Sequence, residues 1–176
     1  MKFSKITQSA LLASIIVAAP LAASADDLQL NQSVATTQSS ISLADAMNLA
    51  KRHAQGTIAN VSLDDSGVYD VTIFSKNYEH EVSVNARSGE ILRTERSSLD
   101  RSDKRKLRAL NSVKIKQNDA ADRAVKAVGG GQAVEIEFDK ERRLWVYDVK
   151  VVKNGQQYDV RINANTGAVL KQQIDY

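Results

Sequence analysis

Few side chains in this sequence could carry chemistry, and their spacing argues against most of it. The only histidines are His53 and His80, and neither sits in a pattern such as H-x-x-x-H that would put two imidazoles on one helix face for a metal. There is no cysteine, which removes disulfides, thiolate nucleophiles and thiolate metal sites together. Asp70 and Asp148 recur in the same setting, Tyr-Asp-Val. Lying in equivalent places of separate segments, they read as strand or turn hydrogen-bond acceptors and not as an acid–base pair. The glycine run 129–131 follows a helical pattern instead of opening one, so it cannot cradle a phosphate on a helix N-terminus. His53 falls near a helix C-terminus, where a cation suits the dipole. His80 shares a strand face with valines and reads as a half-buried packing residue. No metal, cofactor or catalytic residue is predicted.

The elements that position these residues come in two sets. Ser42 three residues before Asp45 suits a helix start, and Leu43, Ala46, Met47, Ala50 and Ala54 follow at helical spacing. Beyond Gly56 the period falls to two: strands are predicted near 58–63, 69–74, 78–86 and 90–94. The second set repeats this order. Gln117, Ala121, Ala124, Val125 and Val128 make a helical stripe that stops at Gly129, and four strand-like segments follow. Helix matches helix at an offset of 74 (Ala50/Ala124) and the later strands match at 78 (Tyr69/Tyr147, Gly89/Gly167). Four extra residues are therefore expected in the second copy, in its "DKERR" hairpin.

The clearest repeated phrase is "NARSGEIL" at 85–92 against "NANTGAVL" at 163–170. In each a strand ends at Asn85 or Asn163. Ser88 or Thr166 can bond the turn backbone, and Gly89 or Gly167 supplies the left-handed residue of a short hairpin. These six residues are structural turn residues.

A helix with D-A-x-x-x-A, then Y-D-V, then a strand ending N-A-x-[ST]-G-x-[IV]-L resembles the PepSY domain, in two copies over 41–97 and 115–176. The resemblance implies an α+β fold of two tandem repeats, each one helix packed on a curved antiparallel sheet of three to four strands. It also implies a family found in peptidase propeptides and in stand-alone exported proteins, with a proposed role in restraining peptidases. No peptidase domain follows here, which leaves action on another protein. Lys116 replaces Ser42 at the second helix start, a poor cap.

Export is expected on independent grounds. Lys2 and Lys5, the apolar run "ALLASIIVAAPLAA" and "ASA" at 23–25 form a secretory signal peptide over 1–25, with cleavage before Asp26. The run is too short for a stable membrane anchor, and no Cys lies near the cleavage point to carry a lipid. Cleavage removes two basic residues and no acidic one, taking the net charge from +3 to +1. The sequence pI of 9.1 thus overstates the basicity of the mature chain, and nucleic-acid binding is not expected. Residues 26–40 are polar and aperiodic, a flexible leader. The expected location is the periplasm.

Residues 98–114 hold the densest charge, "DRSDKRKLR". They read as a solvated basic linker or a short helix bearing Leu99, Leu107 and Leu110, with contact to an acidic partner or an anionic membrane surface as the sharper reading. Strand alternation places Phe74, Val146 and Val152 on the sheet side away from the helices, with Lys150 and Arg161 beside them. Apolar residues there need a cover, either the other repeat or a partner. A protein or peptide partner is therefore expected, an exported peptidase or the outer domain of a membrane sensor.

Overall fold

The computed structural model describes residues 41–175, so the signal peptide and the leader lie outside the described residues. Three helices, α1 (Leu43–His53), α2 (Arg101–Ser112) and α3 (Gln117–Val128), accompany eight strands. The strands are β1 (Thr57–Leu63), β2 (Val68–Phe74), β3 (Tyr78–Asn85), β4 (Ile91–Ser98), β5 (Gln132–Glu141), β6 (Leu144–Lys153), β7 (Gln156–Asn163) and β8 (Val169–Asp175). The fold is α+β, and each repeat is one helix followed by a four-stranded antiparallel meander. The two meanders are not separate sheets. β1 pairs antiparallel with β5 through Asn60↔Glu137, Val61↔Ile136 and Ser62↔Glu135, giving one sheet in the order β4-β3-β2-β1-β5-β6-β7-β8.

The inner face carries Val61, Tyr69, Val71, Ile73, Val82, Val84, Ile136, Phe138, Tyr147, Val149, Val151, Val160 and Ile162, all buried. α1 and α3 lie on this face. They press Leu43, Ala46, Met47 and Ala50, and Ala120, Ala121, Ala124 and Val128, against it. Alanine on the helices and branched residues on the strands let the layers approach closely. Phe138 stacks on Trp145 with centroids 5.0 Å apart, which leaves the indole half-buried at the rim of the core.

The repeated turn does more than reverse the chain. Asn85 Oδ1 accepts from the amides of Arg87 (2.9 Å) and Ser88 (3.0 Å), and Asn163 Oδ1 accepts from those of Asn165 (2.9 Å) and Thr166 (3.0 Å). Gly89 and Gly167 sit at φ 74° and 72°, a region that costs a side-chain-bearing residue about 1–3 kcal/mol. The Ala86 and Ala164 carbonyls then accept from the amides of Ile41 and Ile115, both at 3.0 Å. Each turn thus fixes the entry of its own helix. A Cβ on Gly89 would touch Leu49 at 3.2 Å, and one on Gly167 would meet the Arg123 guanidinium at 2.7 Å.

Helix starts differ between the copies. Ser42 and Asp45 form a reciprocal capping box on α1, and its hydrogen bonds from Ser42 hold the Asp45 carboxyl below the usual range. α3 has no side-chain cap. Lys116 instead turns its ammonium to the Leu110 and Val113 carbonyls (3.3 and 3.1 Å), satisfying the end of α2. The residue that looks like a poor cap for one helix closes the preceding one.

Two expectations need correction. Val61 faces Val71 and Ile136 faces Val149, so the copies stand 75 residues apart at β1/β5 and 78 apart at β2/β6. Only three of the extra residues therefore lie in the β5–β6 hairpin. The remaining one lengthens the helix, since α3 has 12 residues against 11 in α1 while three residues lead from each helix to its first strand. The second correction concerns residues 98–114. Of the two readings of this segment the short helix holds and the solvated linker does not: it is α2, capped by a second box between Asp100 and Asp103, with Leu99, Ala109, Leu110 and Val113 buried. α2 packs on β1 and β5 from the outer face. Its Lys106 reaches Glu137, and Asn111 accepts from the Thr57 hydroxyl at 2.9 Å.

That helix is the cover Phe74 requires. Thr57 is the cross-strand neighbour of Phe74, and Phe74 belongs to the same continuous apolar cluster as Leu99, Ala109 and Leu110. At 3% exposure Phe74 is not available to a partner. The equivalent Val152 is only half-buried. Phe74→Ala should therefore cost about 3–5 kcal/mol, and Val152→Ala well under half of that. Chemical denaturation of the two variants checks this, and equal losses would show that α2 does not cover Phe74. Gly89→Val and Gly167→Val should each destabilise by about 1–3 kcal/mol; melts matching the parent would contradict the turn geometry.

The cap gives a pH-dependent expectation. Because the Asp45 pKa is depressed in the fold, its contribution is present above its unfolded value and fades as pH falls through the folded one. Ser42→Ala should lower Tm by about 2–4 °C at neutral pH, with a smaller difference in acid, where Asp45 is protonated in both proteins.

Candidate interaction surface

The outer face is polar, and β-pairing sets its chemistry. In the first repeat Asp70 lies opposite Ser83 and accepts its hydroxyl at 2.6 Å. In the second, Asp148 lies opposite Arg161 and takes it in bidentate fashion, at 2.7 Å from Nε and 3.1 Å from Nη2. These are the same slot of the duplicated sheet. The repeated aspartates are cross-strand acceptors. Bonding to Asp148 raises the already high pKa of Arg161 further.

Arg161 also reaches Glu141 at 3.2 Å. Asp148 and Arg161 form one rung, and Glu141 pairs with Leu144, so this bridge spans β6 at the level of Val146. The guanidinium stem covers the valine, and Val146 is fully buried. Phe74 and Val146, expected as partner contacts, are thus closed by α2 and by this ion pair. Lys150, Val152 and Arg161 remain at the surface, brought together by neighbouring rungs of β6 and β7. Lys150 pairs with Glu135 at 3.3 Å. Around them a shallow depression of about 290 Å³ is lined by Glu135, Glu137, Asp148, Asp159, Arg161 and Lys171.

The first repeat offers a more acidic patch. Glu79, Glu81 and Glu95 border Arg96, and Arg93 bridges Glu81 and Glu95 at 3.6 and 3.1 Å. Desolvation raises the Glu79 pKa above the usual carboxylate range, helped by the negative field of Asp103 and Glu81. The histidines play no part here. His53 is exposed at the end of α1 and His80 is half-buried on β3, 3.4 Å from the Ser75 hydroxyl. Among the described residues no group of three or more His, Asp or Glu is placed to hold a metal ion. Burial pushes the Tyr147 phenol pKa up, and its hydroxyl donates to the Ile115 carbonyl at 2.9 Å, a structural bond anchoring the entry to α3.

The two outer strands leave their hydrogen-bonding edges open, with the same irregularity in each. Val84 pairs with Ile91 but Ser83 with Arg93, and Ile162 pairs with Val169 but Arg161 with Lys171. Leu92 and Leu170 are therefore the extra residues of matching β-bulges, 51% and 46% exposed. Bulges and charges at an edge discourage indiscriminate strand pairing. Sequence reading missed these bulges, although the repeated Ile/Val-Leu step after the turn is their only local trace. It also missed the α2 cap, whose D-x-x-D spacing mirrors the S-x-x-D of α1.

The sequence profile of the family described as "Peptidase propeptide and YPEB domain" matches residues 40–95 and 114–173. An uncharacterized Bacillus subtilis (strain 168) protein, YkoJ, is 25% identical over 149 residues, covering 82% of this chain and 81% of its own. The crystal structure of a candidate lipoprotein from Clostridium difficile 630 is 23% identical, with a TM-score of 0.48 over 77% of this chain and 93% of that one. No helix among the described residues is long and apolar enough to cross a membrane. With both matched regions folding as a helix followed by a four-stranded meander, the chain belongs to the PepSY family and carries its domain twice.

Proposed function

We propose that the protein is an exported, non-catalytic binding module that holds a segment of another protein, an exported peptidase, against the outer face of its sheet beside α2 or along an edge strand. One observation carries the reading. Among the described residues, α1 and α3 close the inner face, whereas the outer face is left open on both flanks of α2, with its polar side chains held in fixed rungs. A segment laid there would meet preorganised donors and acceptors. One paired with β4 or β8 would gain backbone hydrogen bonds. The family description, which names peptidase propeptides, supports a peptidase as the partner. The signal-peptide pattern of residues 1–25 supports export.

The test is titration of the mature chain against purified peptidases from the same cell envelope, following both complex formation and turnover. Binding at equimolar ratio with reduced turnover is expected. Lys150→Ala combined with Arg161→Ala should weaken the complex about fivefold or more through lost charge contacts. Circular dichroism melts should stay within a few degrees of the parent. If no peptidase of the envelope is bound or slowed, the peptidase reading fails. Retention by the outer domain of a membrane sensor would assign the module to signalling instead.

A further inference from the structure

The outer face is divided by α2, and the crest of that helix is chemically unlike everything around it. Arg101, Lys104, Arg105 and Arg108 recur at spacings of three and four, so they share one side of the helix, opposite the buried Leu110. All four are exposed. Among the described residues, none of the four makes an ion pair, whereas Lys106 beside them is paired to Glu137. The row extends about 10 Å along the helix. For a mature chain whose charges nearly cancel, this is a marked segregation.

We propose that this ridge is the docking site for an acidic peptide segment. The inference rests on the binding-module reading and adds the chemistry of the partner. Three of the four cations are arginines, whose planar forks take carboxylates in bidentate fashion. α2 stands above a face whose flanks are carboxylate-rich: Glu79, Glu81 and Glu95 on one side, Glu135, Glu137 and Asp148 on the other. A narrow acidic segment can follow the crest without descending to those flanks. A flat anionic bilayer would bring its charge toward both. The helix also has no apolar face to give a bilayer, because Ala109 and Leu110 are spent on the core, and interfacial helices depend on that face.

The test uses mature protein and fluorescent octaglutamate at about 20 mM and about 150 mM salt, since exposed charge contacts are screened over this range. The ridge variant is Arg101→Gln, Lys104→Gln, Arg105→Gln and Arg108→Gln together; glutamine keeps helix propensity near that of the residues replaced, and its melt should match the parent. A charge-matched control changes Arg52, Arg87, Lys126 and Arg143 to Gln, all exposed and outside α2. The expected result is salt-sensitive binding that drops at least about tenfold in the ridge variant and much less in the control. Absence of octaglutamate binding at low salt, or equal losses in both variants, overturns the proposal. So does preferential binding to phosphatidylglycerol vesicles, or a parent dimer that the ridge variant loses. A peptidase complex that the ridge variant forms as tightly as the parent would refute the ridge and leave the binding module standing. Octaglutamate bound at the ridge with no peptidase engaged would refute the peptidase reading alone.

Discussion

Three rungs between β1 and β5 hold the architecture together. Without them the chain would be two small α+β units, each with two sheet edges and a core built from one short helix. With them, Val61 and Ile136 face each other, fully buried, and one apolar layer runs beneath both helices. Burial of two such side chains is worth about 1.5–3 kcal/mol each, comparable to a sizeable part of the stability of a small domain. The junction is reinforced from the other repeat, as the side-chain amide of Gln117 at the start of α3 donates to the Ile58 carbonyl. This carbonyl lies beside the β1 irregularity between Ile58 and Asn60, where the ladder is interrupted and an acceptor needs a partner. The side-chain Oδ1 of Asn60 accepts from the Phe138 amide at 3.3 Å.

Joining the sheets in this order forces the chain to travel. β4 ends at one outer edge, while α3 must start near the middle on the inner face. The connection therefore has to cross the sheet, and α2 is that crossing. Its apolar side is spent on Phe74 and its surroundings, its Asn111 and Lys106 tie it to β1 and β5, and Lys116 closes its last turn. What remains is a cationic face. The charge density of this segment is a consequence of a helix lying on a polar sheet with one side inward and three outward. It does not mark a chain that fails to fold.

Much of this was legible in the sequence. The change of period from 3.6 to 2, the Asn-Ala-x-Ser/Thr-Gly turns and the helix stripes are local, and local physics repeats wherever the residues do. The pairing of β1 with β5 was not legible. Each strand already has a hairpin neighbour that satisfies one edge, and nothing in "TIANVSL" or "AVEIEF" says what meets the other. α2 was only half legible for a different reason: a short helix and a solvated linker both fitted the segment, because only Ala109 and Leu110 are buried within the helix and cations dominate its composition. The outer-face residues were placed on the correct side by alternation, but burial cannot be read from alternation. Phe74 and Val146 are closed by neighbours far away in sequence, a helix in one case and the Arg161–Glu141 bridge in the other.

The duplication also separates what the fold needs from what each copy is free to change. The turns agree between repeats almost bond for bond, with matching acceptors at Asn85 and Asn163 and matching anchors at Ala86 and Ala164. Gly56 and Gly131 agree too. A Cβ on either would lie 2.4 or 2.5 Å from the carbonyl oxygen of Phe74 or Val152, so neither tolerates a side chain. The outer face does not agree. One slot holds Asp70 with Ser83 and its twin holds Asp148 with Arg161; one rung holds a covered Phe74 and its twin a half-exposed Val152. Both versions satisfy the backbone and bury the inner core, so packing places little demand on the choice. A segment bound there, as proposed, would meet different side chains at its two ends, Asp70 with Ser83 at one and Asp148 with Arg161 at the other.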